Sequence, residues 1–168
     1  MRRVLIIGPC GSGKSTLARE LAPLLGLPLV HMDQLNWNPG WAETERAALR
    51  ARVEEVVAGE AWLIDGNYGS TLAPRLERAD TVIYLDFPIT LCLWRLIRRV
   101  VTHRGQARPD MPAGCPERFD LAFFWYVLNW NRGPRPRTEA AIAPWAGKTI
   151  RLEFPSALAL WREHNNLA

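Results

Sequence analysis

Glycines, a lysine and two hydroxyl side chains directly follow the first aliphatic run of the chain. Residues 8–15 read GPCGSGKS and satisfy the pattern G-x-x-x-x-G-K-[ST]. Glycines let the backbone turn tightly and bring its N–H groups close to phosphate oxygens. Lys14 can reach the β- and γ-phosphates, and the Ser15 hydroxyl can bind Mg²⁺. The pattern predicts a nucleotide site formed by Gly8, Gly11, Ser12, Gly13, Lys14, Ser15 and Thr16.

The elements on either side of this motif supply the context that it needs. Residues 4–7 are aliphatic and predict a buried strand, whereas residues 14–25 predict a helix with a leucine stripe that stops at Gly26. A helix that begins at the glycine-rich loop points the positive end of its dipole at a bound anion. A strand before the motif and a helix after it favour a phosphate-binding loop over a glycine-rich turn without function.

Short apolar strands alternate with helices along the rest of the chain. Further strands are predicted over residues 29–31, 61–64, 81–85 and 148–154. Longer helices are predicted over residues 44–58, 88–102, about 119–130 and 156–164, with loops over 34–41, 103–116 and 132–137. This alternation predicts a parallel sheet covered by helices on both faces. Since the chain has 168 residues and shows neither a repeat nor a linker, one domain over residues 1–168 is expected.

Positive charge is concentrated in one segment of the chain. Residues 95–137 carry nine arginines against Asp110, Glu117 and Asp120, a net of +6, whereas residues 1–94 carry nine basic and eleven acidic residues. Such a segment suits a polyanion such as a nucleotide, a phosphorylated substrate or nucleic acid. A solvated basic face is the alternative that composition leaves open.

Several stretches carry a family resemblance. GPCGSGKST, WLIDGNY and VIYLDFP resemble the adenylate-kinase-like P-loop kinases over nearly the whole chain. HMDQLNWNPGW, IDGNY and RPDMPAGCPERFD look most like a bacterial subgroup labelled DNA topology modulation proteins. The resemblance implies an α/β, three-layer P-loop NTPase fold with a five-stranded parallel sheet in the order 2-3-1-4-5. It also implies an arginine-bearing lid over about residues 103–117, and ATP and Mg²⁺ as cofactors.

This resemblance implies roles for two aspartates at the ends of predicted strands. Asp65 ends the third predicted strand, and in the resembling kinases an aspartate there holds Mg²⁺ through water. Asp33 ends the second strand, where shikimate- and gluconate-type kinases use an aspartate to orient the acceptor hydroxyl. A turn role for Asp65 and an Asx cap for Asp33 remain open. Asp86 is expected to cap the helix that Pro88 begins.

Arginines are candidates for stabilising charge on the transferring phosphoryl group, together with Lys14. Arg98 and Arg99 lie on the predicted helix 88–102, on the side opposite its apolar stripe. Arg104 and Arg108 lie in the expected lid. At least one of these four arginines is expected to act in catalysis, and the alternative for each is simple solvation.

One difference from the adenylate kinases leaves the identity of the phosphoryl acceptor open. Adenylate kinases continue D-G-F-P-R, whereas this chain continues Asp65-Gly66-Asn67-Tyr68-Gly69, and Arg75 is the nearest substitute for the missing arginine. Trp37, Trp41 and Tyr68 fall in predicted loops beside the carboxyl ends of the strands. They could stack on a base or sugar ring, or pack beneath a loop.

Two functions follow from these observations. The favoured hypothesis is an ATP- and Mg²⁺-dependent phosphotransferase acting on a nucleoside, nucleotide or other hydroxyl compound. The alternative is an ATP-binding regulatory protein whose arginine-rich segment binds DNA or a protein partner, although no nucleic-acid-binding motif is present. Three cysteines without pairing or metal-ligand spacing predict a cytoplasmic setting, and no apolar stretch is long enough to predict a membrane span.

Overall fold

The computed structural model describes residues 1–106 and 108–167. Within these residues the strands are β1 (Arg3–Ile7), β2 (Leu29–His31), β3 (Trp37–Asn38), β4 (Ala42–Glu43), β5 (Trp62–Asp65), β6 (Thr81–Leu85) and β7 (Thr149–Leu152). The helices are α1 (Lys14–Leu25), α2 (Met32–Asn36), α3 (Arg46–Ala58), α4 (Leu72–Arg78), α5 (Ile89–Thr102), α6 (Leu121–Leu128), α7 (Pro134–Ile142) and α8 (Pro155–His164). None of the described helices has the length and apolar character needed to cross a membrane.

Five strands form one parallel sheet in the order β2-β5-β1-β6-β7. Counted along the sheet strands alone, this is the expected order 2-3-1-4-5, which is therefore confirmed. The register places Asp65 beside Ile6 on one side and beside His31 on the other. Because all five strands run in the same direction, their carboxyl ends meet at one edge of the sheet, where ligands bind in open α/β folds.

Helices cover both faces of this sheet. Alternate residues of β1 point to opposite sides, so that Leu5 joins one buried cluster and Ile6 the other. The first cluster includes residues of α3, α4 and α7, and the second includes residues of α1 and α5. The central strands are buried on both faces, which explains why they are continuous aliphatic runs without polar alternation.

Two segments that were expected to be loops contain regular structure. Residues 34–41 include the end of α2 and one strand of the antiparallel hairpin β3–β4. Residues 132–137 include the start of α7, where Pro134 occupies the first turn. A proline in the first turn of a helix costs no hydrogen bond, because the N–H groups there have no partner within the helix.

Asp86 does not cap the helix that follows it, so that expectation is wrong. The residue preceding α5 is Pro88, and it makes no side-chain capping bond. Asp86 instead accepts hydrogen bonds from the guanidinium of Arg135, at 2.7 Å, and from that of Arg151. Two arginines from distant parts of the chain outcompete a local cap, since charge-assisted bonds to a buried carboxylate are stronger.

Candidate phosphoryl-transfer site

At two positions of the loop between β1 and α1, the backbone conformation and the close neighbours leave room only for glycine. Gly8 and Gly11 have φ values of 146° and 85°. A Cβ atom on Gly8 would lie well inside van der Waals contact with the carbonyl oxygen of Leu85, and one on Gly11 would meet the carbonyl oxygen of Cys92 in the same way. The loop is thus packed tightly against the end of β6 and the first turn of α5.

We expect Gly11→Ala to destabilise the protein by about 3 kcal/mol, because it adds overpacking to a left-handed backbone. Gly105→Ala is a matched control, since Gly105 has a similar φ of 78° but open space where its Cβ would stand. Urea unfolding of both variants measures the difference, and calorimetry with ATP measures any change in nucleotide affinity. Equal losses of stability in the two variants would contradict tight packing at Gly11.

Polar groups of this loop are arranged to receive an anion. The Lys14 ammonium donates to the carbonyl oxygens of Gly8, at 3.0 Å, and Pro9, at 2.9 Å. The Ser12 hydroxyl is buried and has no hydrogen-bond partner within the described residues. Among the described residues, no side chain caps the start of α1, so the first N–H groups of this helix have no capping partner. A free hydroxyl, open N–H groups and an ammonium in one loop fit a polyphosphate.

Ser15, Asp65 and His31 form a hydrogen-bonded row at the carboxyl edge of the sheet. The Ser15 hydroxyl donates to Asp65 Oδ2 at 2.6 Å, and His31 Nδ1 lies 2.5 Å from Asp65 Oδ1. A hydroxyl and one carboxylate suit Mg²⁺, which takes few protein ligands and completes its shell with phosphate oxygens and water. In the part of the chain that the structure describes, no group of three His, Cys, Asp or Glu side chains could hold a metal ion. The donor set therefore fits a metal that arrives with the nucleotide.

His31 was missed by sequence reasoning. A single histidine at the end of a strand has no recognisable spacing to another ligand, and its partner lies 34 residues away. Only the pairing of β2 with β5 places His31 beside Asp65. The contact fixes the orientation of the Asp65 carboxylate.

Asp33 lies in the first turn of α2 and lines the same cavity as the phosphate-binding loop. The Tyr68 hydroxyl donates to its Oδ1 at 2.6 Å. Burial raises the pKa of Asp33, and this effect exceeds the lowering by the Tyr68 hydrogen bond and by the positive charges of Arg108 and Lys14. The result is an oriented carboxyl group with an increased affinity for a proton, which suits a general base.

Arg75 supports the loop that follows β5. Its side chain is completely buried, with a relative exposure of 0%. The guanidinium donates to the carbonyl oxygens of Gly66 at 2.6 Å, Tyr68 at 2.9 Å and Thr71 at 2.9 Å, and also to that of Asn67. Burial lowers its pKa to about 9. Arg75 cannot replace the acceptor-binding arginine of adenylate kinases, because backbone oxygens already occupy its donors.

The supported loop contacts both halves of the site. Asn67 forms a two-way clamp on Gly8, accepting from its N–H at 2.9 Å and donating to its carbonyl oxygen at 2.6 Å. Tyr68 has a φ of 37°, an unusual conformation for a residue with a side chain, and directs its hydroxyl to Asp33. The sequence D-G-N-Y therefore connects the glycine-rich loop to the carboxyl group of Asp33.

Arg99 and Arg108 lie on the cavity wall and are both paired with acidic residues. Arg99 binds Glu117 at 3.0 Å, and Arg108 binds Glu117 at 2.8 Å and Asp110 at 2.7 Å. Both carboxylates are buried. These ion pairs hold the lid residues against the end of α5.

The other two candidate arginines lie outside the cavity lining. Arg98 is exposed and stacks on the Trp94 ring, with its guanidinium carbon 5.6 Å from the ring centroid. Arg104 is exposed and forms a backbone bridge with Glu117. Arg95 does line the cavity and donates to the carbonyl oxygen of Ser12 at 3.2 Å. The helical spacing of these arginines could not reveal which of them face the cavity.

The lid packs on the β3–β4 hairpin and forms a roof over the cavity. The Gly40 N–H donates to the carbonyl oxygen of Gly114 at 2.9 Å, and the Trp41 indole donates to that of Pro116 at 3.2 Å. The cavity beneath has a volume of about 1320 Å³. This volume is sufficient for a nucleotide and a small acceptor together.

Comparison with known proteins places this geometry in context. No family model matches the chain. A shikimate kinase of Rhodococcus jostii is 31% identical over 130 residues, which cover 69% of this chain and 74% of that protein. A shikimate kinase of Halorhodospira halophila is 30% identical over 131 residues, which cover 68% of this chain and 70% of that protein.

Solved structures show the same fold. The shikimate kinase of Acinetobacter baumannii in complex with shikimate superposes with a TM-score of 0.59 at 21% identity, covering 99% of this chain and 92% of that one. A gluconokinase of Sinorhizobium meliloti superposes with a TM-score of 0.53 at 16% identity, covering 98% and 95%.

Proposed function

The chain belongs to the shikimate kinase family, a group of small-molecule P-loop kinases, and we propose that it uses ATP and Mg²⁺ to phosphorylate a small hydroxyl compound. The observation that carries this proposal is a single cavity lined by both the phosphate-binding loop and Asp33. A phosphate cradle and a carboxyl base in one enclosure are what phosphoryl transfer to a hydroxyl group requires.

The described residues have separate roles in the proposed reaction. Asp33 accepts the proton of the acceptor hydroxyl while that oxygen attacks the γ-phosphorus, and the bond from phosphorus to the ADP oxygen breaks. Lys14 and the N–H groups at the start of α1 stabilise charge on the phosphate oxygens. Ser15 and Asp65 would hold Mg²⁺, which neutralises charge on the β- and γ-phosphates when bound. The roof of lid and hairpin excludes water from the reacting phosphate.

Arg99 and Arg108 are the lid arginines that this proposal assigns to the transferring phosphoryl group. Both line the cavity, and both would exchange a carboxylate partner for phosphate oxygens. Arg98 and Arg104 are proposed only to contribute to the positive field around the cavity, since their side chains are exposed at its outside.

Two finer assignments remain part of the proposal. The stretches HMDQLNWNPGW and RPDMPAGCPERFD support membership of the subgroup labelled DNA topology modulation proteins. The free cysteines Cys10, Cys92 and Cys115 suit the reducing cytoplasm, where ATP is abundant. Direct DNA binding is less favoured, because Arg99, Arg108 and Arg135 of the basic segment are already paired with acidic side chains.

Lys14→Ala tests the proposal. We expect ATP-dependent phosphorylation to fall by about 10²–10³-fold, since a preorganised charge on the reacting phosphates is lost. Lys148→Ala is a matched control: Lys148 donates to the carbonyl oxygens of Leu76 and Ala79, at 2.6 Å each, outside the cavity, so this variant lowers stability but keeps kcat. ADP release in the presence of a metabolite panel is the measurement. Unchanged turnover in Lys14→Ala, or ATP-dependent DNA binding without any turnover, would overturn the proposal.

A further inference from the structure

We infer that the outward faces of α5 and α6 bind the surface of a phospholipid bilayer that carries anionic headgroups. The α5–α6 surface is defined by six exposed apolar side chains: Trp94, Ile97, Val101, Leu121, Trp125 and Leu128. All six lie outside the lining of the phosphoryl-transfer cavity, so the inference goes beyond the proposed function and does not depend on it. The concentration of apolar side chains, the sign of the charges among them and the degree to which they protrude support it.

Exposed apolar side chains are concentrated in one part of the chain. Of the twelve large apolar side chains that are exposed among the described residues, eight belong to residues 94–128. Single exposed apolar residues are normal on a protein surface, whereas a group of them marks a site of interaction. The concentration in this segment therefore calls for a partner.

Each of the two helices turns one apolar stripe outward. The stripe of α5 recurs at spacings of three and four residues, and the buried Leu96 and Val100 lie on the opposite side of that helix. The stripe of α6 recurs in the same way, opposite the buried Val127 and opposite Phe123, which lines the cavity. Because α5 and α6 are in contact, the two stripes lie on adjoining helices. The inner faces of both helices are already packed, which leaves the outer stripes free for a partner.

The charges that accompany these stripes are positive. Within the described part of residues 94–132, the exposed members of the acidic and basic residues are four arginines: Arg98, Arg104, Arg118 and Arg132. The carboxylates of Asp110 and Glu117 are buried, and Asp120 is partly buried with its carboxylate 3.8 Å from Arg118. One of the arginines stacks on the stripe itself, since the Arg98 guanidinium carbon lies 5.6 Å from the Trp94 ring centroid. An anionic partner is the electrostatic complement of this surface.

Aliphatic side chains beside arginines distinguish a bilayer from other anionic partners. Val101 and Leu121 are each 74% exposed, and Trp125 is 67% exposed. Nucleic acid would neutralise the arginines but offer little to protruding aliphatic side chains. A second copy bound about a two-fold axis would bring like charges together without an exposed carboxylate between them. In a bilayer, by contrast, such side chains enter the boundary of headgroups and acyl chains, while arginines bind the anionic headgroups.

Flotation of the full-length protein with vesicles tests this inference. One set of vesicles is made of phosphatidylcholine alone, and the other of phosphatidylcholine and phosphatidylserine in equal parts. We expect the affinity for the anionic vesicles to be higher by about tenfold or more and to fall as salt is added, because the attraction of the arginines is screened. Absence of binding to the anionic vesicles at low salt would overturn the inference.

A matched pair of leucine variants tests the apolar contribution. Leu121→Ser is expected to weaken binding to the anionic vesicles by about tenfold, as loss of one buried leucine side chain predicts. Leu160→Ser is the control, because Leu160 is 66% exposed on α8, outside the α5–α6 surface. Circular dichroism confirms that both variants are folded. Equal affinities of the two variants would overturn the inference.

A matched pair of arginine variants tests the electrostatic contribution. Arg132→Gln is expected to weaken binding to the anionic vesicles by about fivefold, the usual effect of one arginine held near such a surface. Arg46→Gln removes an exposed arginine from α3 and changes the net charge by the same amount, but is expected to leave binding unchanged. Equal losses in these two variants would indicate attraction without orientation and overturn the inference.

Two other occupants of the α5–α6 surface predict different results. A dimer in sedimentation equilibrium that Leu121→Ser dissociates would assign the surface to a second copy of the chain and overturn the inference. Tighter binding to double-stranded DNA than to the anionic vesicles in the same buffer would assign the arginines to nucleic acid and also overturn it. The proposed kinase function is tested separately by Lys14→Ala.

Discussion

Asp33→Asn is expected to reduce acceptor-dependent phosphorylation by about 10²–10⁴-fold, the usual contribution of a positioned base. The amide can still accept the Tyr68 hydrogen bond, so the local geometry is retained, but it cannot take up the proton of the acceptor hydroxyl. Since the base must be ionised, kcat/KM of the parent protein is expected to fall as pH decreases through the raised pKa of Asp33. A pH–rate profile of both proteins, with ATP affinity measured by calorimetry, tests this expectation.

The same variant is expected to be more stable than the parent at neutral pH. Burial holds the pKa of Asp33 above its ordinary value of 3.8, so the unfolded chain loses this proton more readily than the folded chain. The raised pKa favours folding at low pH, and this contribution to stability is lost as pH rises through the pKa that Asp33 has in the folded protein. Asparagine never ionises, so Asp33→Asn avoids the free-energy cost of burying an ionised carboxylate. The gain in Tm should therefore appear at pH 7 and shrink towards pH 4.

Asp33→Asn is expected to lose activity but gain stability, and misfolding would lower both. A Tm below that of the parent at pH 7, or a retained kcat, would contradict the role assigned to Asp33. The charged groups that face Asp33 are Arg108, Asp65 and Lys14. Because all three remain in Asp33→Asn, the comparison isolates the ionisation of a single carboxyl group.

Arg75→Met is expected to cause the largest loss of stability. It would remove four hydrogen bonds to backbone carbonyl oxygens at once. The carbonyl oxygen of Tyr68 keeps the N–H and the hydroxyl of Thr71 as donors, whereas each buried carbonyl oxygen left without a donor costs about 1–3 kcal/mol. A total stability of about 5–15 kcal/mol is typical of a protein of this size. Tm should fall by about 10 °C or more, and ATP binding should weaken because the Asn67 clamp on Gly8 loses its support.

Arg78→Met provides the control for this second expectation. Arg78 lies on the same helix and also donates to backbone carbonyls, those of Val57 at 3.0 Å and Ala58 at 3.3 Å, but its side chain is 42% exposed. Water can replace its donors, so only a small shift in Tm is expected. Thermal unfolding followed by circular dichroism measures both variants. Similar shifts would show that the loop from Gly66 to Thr71 does not depend on Arg75.

Local patterns were sufficient for the elements that surround the phosphate. The glycine-rich loop, the strand before it and the helix after it occupy consecutive residues, and their chemistry is determined by short-range geometry. The end of β5 at Asp65 was also predictable, because an apolar run that stops at an aspartate marks the edge of a parallel sheet. Asp33 was expected to end the second strand, but β2 ends at His31 and Asp33 lies in the first turn of α2. The order of the strands came from the family resemblance, not from the spacing of the residues.

Other features depended on contacts between distant segments. Helix α7 was missed because its first-turn prolines also occur in loops. Asp86 was assigned a local cap, whereas Arg135 and Arg151, 49 and 65 residues away, bind it instead. Arg75 was considered as a substrate ligand, yet it is fully buried against backbone oxygens.

The sequence by itself predicted a phosphate-binding loop with carboxylates near it, since those features follow from adjacent residues and from the direction of the strands. Only the tertiary structure decided what each charged side chain faces. An arginine on a helix can point to solvent, to a carboxylate or to a cavity at the same spacing, and the choice depends on desolvation and on partners that the fold brings together. For that reason the ion pairs of Arg99 and Arg108 and the hydrogen bond from Tyr68 to Asp33 emerged only from the packed chain.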